Sequence, residues 1–184
     1  MRVIAGKLKG RKIEAVKGDN TRPTSDKIKE TIFNVMGQFF DGGTALDLFA
    51  GSGNLGIEAL SRGIESAIFI DADFQAVKTI KQNIQTLDLT EQTDVYRNDA
   101  FKAMKVLSAK EMTFDLVFLD PPYGKIAITD LLNQVLELNL LKEEALVVCE
   151  YGIGEDLKVD PSKLKTLKQS EYGTIGIHIF QKKR

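Results

Sequence analysis

Residues Leu46 to Gly56 read LDLFAGSGNLG, a short apolar segment that runs into three glycines spaced as G-x-G-x-x-G. Glycines at this spacing let the backbone turn tightly after a strand and bring a helix N-terminus, with its free N–H groups, close to a ligand. We therefore predict a strand over 44–49, a helix over 55–62 and a ligand-binding loop between them.

Outward from this unit, apolar strand-like segments alternate with segments of helical periodicity. The further strands are predicted at 66–70, 94–97, 115–119 and 145–150, and the further helices at 74–87, 100–107 and 126–138. This alternation predicts an α/β fold with a mainly parallel sheet and helices on both faces. After residue 150 the pattern changes, and two extended segments, 164–170 and 174–181, predict an antiparallel hairpin.

Composition limits the classes of protein that this chain can represent. Of its 184 residues 43% are hydrophobic and 28% are charged, which predicts one globular domain over 1–184, with a catalytic core at 44–184. A single cysteine, Cys149, and a single histidine, His178, exclude an internal disulfide and a Cys/His zinc cluster. No apolar run approaches the roughly 18 residues of a membrane span, and the first residues lack a signal-like apolar stretch. We expect a cytoplasmic monomer without a metal site.

The N-terminal part, 1–43, is basic. Residues 1–29 contain nine Lys or Arg and three acidic residues, a net charge of +6, whereas the whole chain has a net charge of −1. Segments 3–5 and 12–14 flank Gly6 and Gly10 and predict a β-hairpin with a basic loop. A helix is predicted from about 25 to 39, with Thr24 as its N-cap. A basic arm on an acidic body suits a phosphate backbone, although a lysine-rich hairpin also serves as a solvated edge.

Carboxylates at consecutive strand ends indicate the class of the ligand. Asp47 lies four residues before the first glycine, where it would repel a pyrophosphate but attract an amine or a sulfonium. The sequence therefore favours S-adenosylmethionine, and a nicotinamide dinucleotide is the alternative. Asp71 is placed to accept hydrogen bonds from a ribose, and Asn98 and Asp99 to meet a purine edge. Ser52 has no base within motif distance, so we assign it to loop geometry.

The segment Asp120-Pro121-Pro122-Tyr123 follows the fourth predicted strand. The prolines remove two backbone donors, which leaves the Asp120 carboxylate and the Pro121 carbonyl as acceptors. These acceptors can take both N–H groups of an exocyclic base amine, while Tyr123 offers a ring for stacking. Asp120 can then receive the proton as the new N–C bond forms. The target base must be unpaired or flipped out to reach such a pocket.

These motifs resemble the class I amino-methyltransferases, and the whole chain looks like the bacterial small-subunit rRNA guanine-N2 methyltransferase (RsmD-like) family. The resemblance rests on four stretches and on Tyr172-Gly173-Thr174 near the end. The four stretches are Arg2–Gly6, Thr21–Thr24 leading into Lys29–Asn34, Leu46–Gly63, and Asp120–Tyr123.

The resemblance implies a Rossmann-like, seven-stranded mixed sheet with helices on both faces and N2-methylguanine in 16S rRNA as the product. A small-subunit assembly particle is the expected partner, and whether the rRNA is methylated there or as free RNA stays open at the level of sequence. The implied cofactor-binding residues are Asp47, Phe49, Gly51, Ser52, Gly53, Asp71, Ala72, Asn98, Asp99 and Ala100. The implied RNA-binding residues are Lys7, Lys9, Arg11, Lys12, Arg22 and Thr24, although Arg22 could instead orient the cofactor carboxylate or Asp120.

Two rival functions stay open at the level of sequence. A DNA adenine or cytosine amino-methyltransferase would share Asp120–Tyr123, but the chain has no evident target-recognition domain. A non-catalytic RNA-binding assembly factor could keep the same fold. An intact Asp120–Tyr123 segment argues against that second function.

Overall fold

The computed structural model describes residues 1–18 and 24–184, so the predicted site residue Arg22 lies outside the described residues. Five α-helices follow one another as α1 Asp26–Met36, α2 Asn54–Ser61, α3 Phe74–Thr86, α4 Ala100–Ala109 and α5 Ile128–Glu137. Seven strands follow as β1 Thr44–Asp47, β2 Ser66–Asp71, β3 Thr93–Arg97, β4 Phe114–Leu119, β5 Leu141–Gly152, β6 Leu164–Tyr172 and β7 Ile175–Lys182. A short 3₁₀ turn, Thr90–Gln92, precedes β3 and was not expected from the sequence.

The strands form one seven-stranded mixed sheet in the order β3-β2-β1-β4-β5-β7-β6. Strands β1 to β5 pair in parallel, whereas β7 runs antiparallel to β5 and to β6. The predicted mixed sheet and its C-terminal antiparallel hairpin are confirmed. Because the first five strands are parallel, their carboxyl ends all lie along one edge of the sheet.

Two hydrophobic layers cover the sheet. One layer packs α1, α2 and α3 with the N-terminal arm and includes Phe33, Phe69 and Phe118. The other packs α4 and α5 and includes Met104 and Phe114. The central strands are therefore buried on both faces, which explains why they read as nearly continuous apolar runs.

The N-terminal β-hairpin is only partly present, and this prediction is corrected. The segments run antiparallel through one isolated bridge, Arg2 with Lys12, and no strand is formed in the described part of the arm. Side chains of α2 bind backbone amides that a regular ladder would have used. Glu58 accepts hydrogen bonds from the N–H groups of Ile4 and Ala5 at 3.0 and 3.1 Å. The arm is thus docked on the body and is not a free hairpin.

The start of α1 differs from the prediction by one residue. Ser25, not Thr24, is the N-cap, and its hydroxyl accepts a hydrogen bond from the amide of Ile28. Thr24 is buried and turns its hydroxyl to the carboxylate of Glu150 at 3.3 Å. The sequence offered two adjacent hydroxyl residues, and the inward contact of Thr24 leaves the capping position to Ser25.

Candidate active site

The glycine loop connects β1 to α2 in the geometry that its sequence predicts. Gly51 and Gly53 adopt φ angles of 56° and 84°, in the left-handed region that favours glycine. Gly56 lies in the first turn of α2, where an added Cβ would stand 2.4 Å from Cε1 of Phe69. The loop therefore requires glycine for two reasons, backbone conformation and the close approach of α2 to β2.

Asp71 at the end of β2 holds this loop in place. Its Oδ2 accepts a hydrogen bond of 2.9 Å from the amide of Gly51, and its Oδ1 accepts one from the amide of Asp73. The side chain is only half-buried, and each carboxylate oxygen retains a second lone pair. Asp71 can therefore still accept hydrogen bonds from a ligand diol.

Asp47 is a buried carboxylate beneath the loop. Burial raises its pKa to about 7, and the negative charge of Asp71 acts in the same direction, whereas backbone hydrogen bonds from Gly56 and Phe49 partly offset the rise. Because burial makes the carboxyl group of Asp47 costly to ionise, a cationic ligand beside it would stabilise its charged form.

Asp120 follows the end of β4, two residues beyond Phe118, which pairs with Asp47 of β1, and it is near enough to Asp47 for their charges to interact. Burial raises its pKa well above the ordinary value, and the charges of Glu150 and then of Asp47 raise it further. A carboxylate with a raised pKa is a better proton acceptor than an ordinary one. Pro121 is buried, whereas Pro122 and Tyr123 are exposed, so the segment turns outward after Asp120.

Tyr123 has 46% of its surface exposed, but its hydroxyl is engaged. The hydroxyl donates a hydrogen bond of 2.8 Å to Oε1 of Glu150 on β5. Sequence reasoning missed Glu150. The signal was present, because Glu150 ends the apolar run 145–149 in the way that Asp47, Asp71 and Asp120 end theirs.

The rim near β3 holds the remaining residues predicted to bind the cofactor. The amide of Asn98 donates to the carbonyl of Asp71 at 3.1 Å, so the β3 loop lies beside the β2 end. Asp99 is exposed and caps α4 by accepting a hydrogen bond from the amide of Lys102. Phe49 and Asn98 are half-buried, Ala100 is buried and Ala72 is exposed. Their contacts with a cofactor stay predictions.

Asn83 on α3 holds the glycine loop in place through a hydrogen bond. Sequence reasoning missed this residue as well. Its Nδ2 donates to the carbonyl of Ser52 at 2.9 Å and to that of Glu14 at 3.0 Å, while Oδ1 accepts from the amide of Glu14. Ser52 is buried with this contact, which agrees with a role in loop geometry. An asparagine on the apolar face of a predicted helix was the available signal.

The basic loop does not lie at the carboxyl ends of the strands. Lys7 donates from Nζ to Gln92, just before β3 begins, and Arg11 donates to the carbonyl of Thr86 at the end of α3. Lys9 and Lys12 are exposed, and Lys12 forms an ion pair of 2.9 Å with Glu14. The amide of Lys7 donates to the carbonyl of Ser61 at the C-terminal end of α2, so the tip of the arm is about 12 Å from the glycine loop, the length of the eight-residue α2. Thr24 is buried, so we do not propose that it contacts RNA.

The described residues support neither a metal site nor a membrane-spanning helix. Residues 1–18 and 24–184 contain no cluster of three or more His, Cys, Asp or Glu side chains arranged to bind a metal ion. Within the same residues, no helix combines the length and apolarity needed to cross a bilayer.

The sheet order and the site at the carboxyl ends of β1, β2 and β4 define the fold of the class I methyltransferases. The chain belongs to the family described as Conserved hypothetical protein 95, whose model matches residues 1–181. YlbH from Bacillus subtilis (strain 168) is 48% identical over 183 residues, covering 100% of both chains.

Two further relatives extend the comparison. Ribosomal RNA small subunit methyltransferase D from Haemophilus influenzae is 34% identical over 182 residues, covering 98% of this chain and 93% of that protein. The solved structure of yhhF from Escherichia coli has a TM-score of 0.85 and 30% identity, covering 100% of this chain and 98% of that one.

Proposed function

We propose that this chain transfers a methyl group from S-adenosylmethionine to the N2 amine of a guanine in 16S rRNA. One observation carries the proposal: the structure brings the Asp120–Tyr123 segment beside Asp47 and the glycine loop, at one edge of the sheet. The name of the Haemophilus influenzae relative, a small-subunit rRNA methyltransferase, supports the class of substrate.

The residues of the glycine-loop site fit S-adenosylmethionine. Asp47 is buried with a pKa of about 7 and would pair with the positive methionine end, while Asp71 keeps lone pairs for the ribose. Asp99 and Asn98 lie on the adjoining rim, where the adenine is expected. When bound, S-adenosylmethionine supplies an electrophilic methyl group on a sulfonium.

The side chains of the Asp120–Tyr123 segment act on the base. The Asp120 carboxylate and the Pro121 carbonyl accept the two N–H groups of the exocyclic amine, which turns its lone pair toward the methyl donor. Alignment of the amine contributes most of the rate acceleration. As the N–C bond forms, the methyl–sulfur bond breaks and its electron pair stays on the sulfur. The amine becomes acidic and its proton passes to Asp120, directly or through a water molecule.

The exposed ring of Tyr123 would stack on a guanine that has left its own helix. Lys7, Lys9, Arg11 and Lys12 would contact phosphates about one α2 length away, so the RNA must extend along the arm. An extended, folded RNA surface favours an assembly particle over a short free strand. We propose that the protein works on such particles in the cytoplasm, as a monomer.

The test compares methyl transfer to small-subunit particles, free 16S rRNA and duplex DNA in parallel. Asp120→Asn should lower transfer to particles about 100-fold or more while cofactor affinity stays near that of the wild type. Asp94→Asn, an exposed acid on β3, is the matched control and should keep full activity. Preferred transfer to duplex DNA would favour the DNA methyltransferase, and RNA binding without transfer would favour the assembly factor.

A further inference from the structure

Glu150 is the fourth carboxylate at the strand ends, and neither the cofactor nor the amine uses it. It lies in β5, two residues before the strand ends, and only 4% of its surface is exposed. Its partner across the β5–β7 pair is Ile177, which is buried in the layer that packs α1 and α2. A buried carboxylate is costly unless its hydrogen bonds are satisfied, so its contacts indicate what it does.

Two hydroxyl groups from distant parts of the chain meet on this carboxylate. Tyr123 donates to Oε1 at 2.8 Å, and Thr24 donates to Oε2 at 3.3 Å. Tyr123 belongs to the segment that follows β4, whereas Thr24 directly precedes the cap of α1. Glu150 therefore joins the N-terminal part of the chain to the Asp120–Tyr123 segment.

The contact matters because it anchors the far end of a side chain whose ring reaches the surface. Nearly half of the residue is exposed, and a Cβ added at Gly152 would stand 3.8 Å from Cδ1 of the ring, so the ring lies beside the end of β5. A hydrogen bond at the far end of the side chain limits rotation of an exposed ring. A ring that is already oriented loses less conformational freedom when a base stacks on it.

We propose that Glu150 is a positioning residue that fixes the Tyr123 ring as the stacking platform for the target base. This inference rests on the proposed function, because it assigns the ring a base to receive. Glu150 does not touch the reacting amine, and it acts through the Tyr123 hydroxyl. The Thr24 hydroxyl holds the carboxylate from its other oxygen.

The kinetic test is a double-mutant cycle of Tyr123→Phe and Glu150→Val, with particles as substrate. Each single variant should raise KM for the particles about tenfold with little change in cofactor affinity. The value of kcat should hold in Tyr123→Phe but fall in Glu150→Val, because the charge of Glu150 helps to raise the pKa of Asp120. The KM of the double variant should be no higher than that of the more impaired single variant, because both substitutions remove the same hydrogen bond. Glu150→Gln keeps an acceptor oxygen, so its KM should stay close to that of the wild type. Tyr96→Phe, at a similarly exposed tyrosine, should leave KM unchanged.

A second measurement separates this inference from the proposed function. Tyrosine labelled with ¹³C at the ring carbon bearing the hydroxyl gives an NMR signal for Tyr123, assigned by its loss in Tyr123→Phe. That signal should shift in Glu150→Val but little in Glu150→Gln, whether or not the protein is active. If Glu150→Val fails to fold, Tyr123→Phe and Glu150→Gln still decide the matter.

Several results would overturn the role of Glu150. Additive effects in the cycle, an unchanged Tyr123 signal in Glu150→Val, or a Tyr123→Phe variant with wild-type KM would each do so. A wild-type protein that methylates no particle, combined with the expected NMR shift, would instead contradict the proposed function and leave the Tyr123–Glu150 contact established.

Discussion

The ammonium group of Lys29 lies 3.1 Å from the carboxylate of Glu58, and neither side chain has any exposed surface. Lys29 also donates to the carbonyl of Arg2 at 2.7 Å and to Oδ1 of Asn54 at 2.8 Å. Glu58 in turn accepts a hydrogen bond of 2.8 Å from Arg62, the C-cap residue of the same helix. One buried cluster thus joins α1, the N-terminal arm and the start of α2, directly behind the glycine loop.

Replacement of Lys29 by methionine is expected to destabilise the protein strongly. The side chain keeps its length, but Glu58 loses one of its two cationic partners within a buried site. Breaking a buried pair in this way costs about 3–5 kcal/mol of the free energy of unfolding. Urea denaturation measures this difference. Lys27→Met, on the exposed side of α1, is the matched control, and equal losses in both variants would contradict the account.

The buried carboxylate of Asp47 predicts a pH dependence of stability. Its pKa is about 7 in the folded protein against about 3.8 in the unfolded chain, so the folded state holds the extra proton between these values. The stabilisation is complete below the unfolded value and is lost as the pH rises through about 7. The free energy of unfolding without cofactor should therefore fall from pH 5 to pH 8.

Asp47→Asn isolates this contribution. Asparagine resembles the protonated acid, so the decline between pH 5 and pH 8 should become shallower. The remaining slope combines Asp120, whose pKa is also raised, with His178, whose pKa burial lowers and which acts in the opposite direction. The same variant should bind S-adenosylmethionine at least about tenfold more weakly at pH 8, because it lacks the negative charge. A decline as steep as that of the wild type would show that Asp47 is ionised throughout.

Close packing of α2 on β2 predicts the result of Gly56→Ala. The added methyl group would overlap the ring of Phe69, which is fully buried and cannot turn away. We expect a loss of about 1–3 kcal/mol in the free energy of unfolding together with weaker cofactor binding. Phe69→Leu should relieve the overlap, so the double variant should be more stable than Gly56→Ala alone. Absence of this rescue would mean that the cost arises elsewhere in the loop.

The position of the basic loop predicts a purely electrostatic role in RNA binding. Lys9→Ala combined with Arg11→Ala should weaken binding to small-subunit particles, and each lost phosphate contact should lower the slope of log affinity against log salt by about 1. Cofactor affinity should not change, because the loop is remote from the glycine loop. Lys105→Ala, at an exposed position of α4 on the other face of the sheet, is the control. An equal loss of binding in this variant would contradict a specific role of the basic loop in RNA binding.

Most of the fold was predictable because each strand and helix has a clear hydrophobic period. The G-x-G-x-x-G spacing placed β1, the loop and α2 correctly. The final hairpin was also predicted, although β6 runs two residues further than expected, to Tyr172, and the turn lies at 173–174. The N-terminal hairpin was less predictable. Its two segments share a few backbone hydrogen bonds, but other amides bind the side chains of Glu58 and Ser61 on α2, and no local sequence pattern predicts a contact across 50 residues.

The site was predictable where a carboxylate ends a strand, and less so where support comes from another element. Asp47, Asp71 and Asp120 could be read directly, since strand ends of a parallel sheet share one edge. Glu150 fits that rule but was overlooked. Lys29 stands on the apolar face of α1 beside Ile32 and Phe33, yet only the packed structure identifies Glu58 as its partner.

The most direct test of the account is nucleoside mass spectrometry of 16S rRNA. Small-subunit particles lacking the modification would be incubated with the protein and S-adenosylmethionine carrying a deuterated methyl group. The account predicts labelled N2-methylguanine, and none when Asp120→Ala replaces the wild type. Label in methyladenine or methylcytosine, or no label despite measured cofactor binding, would contradict it.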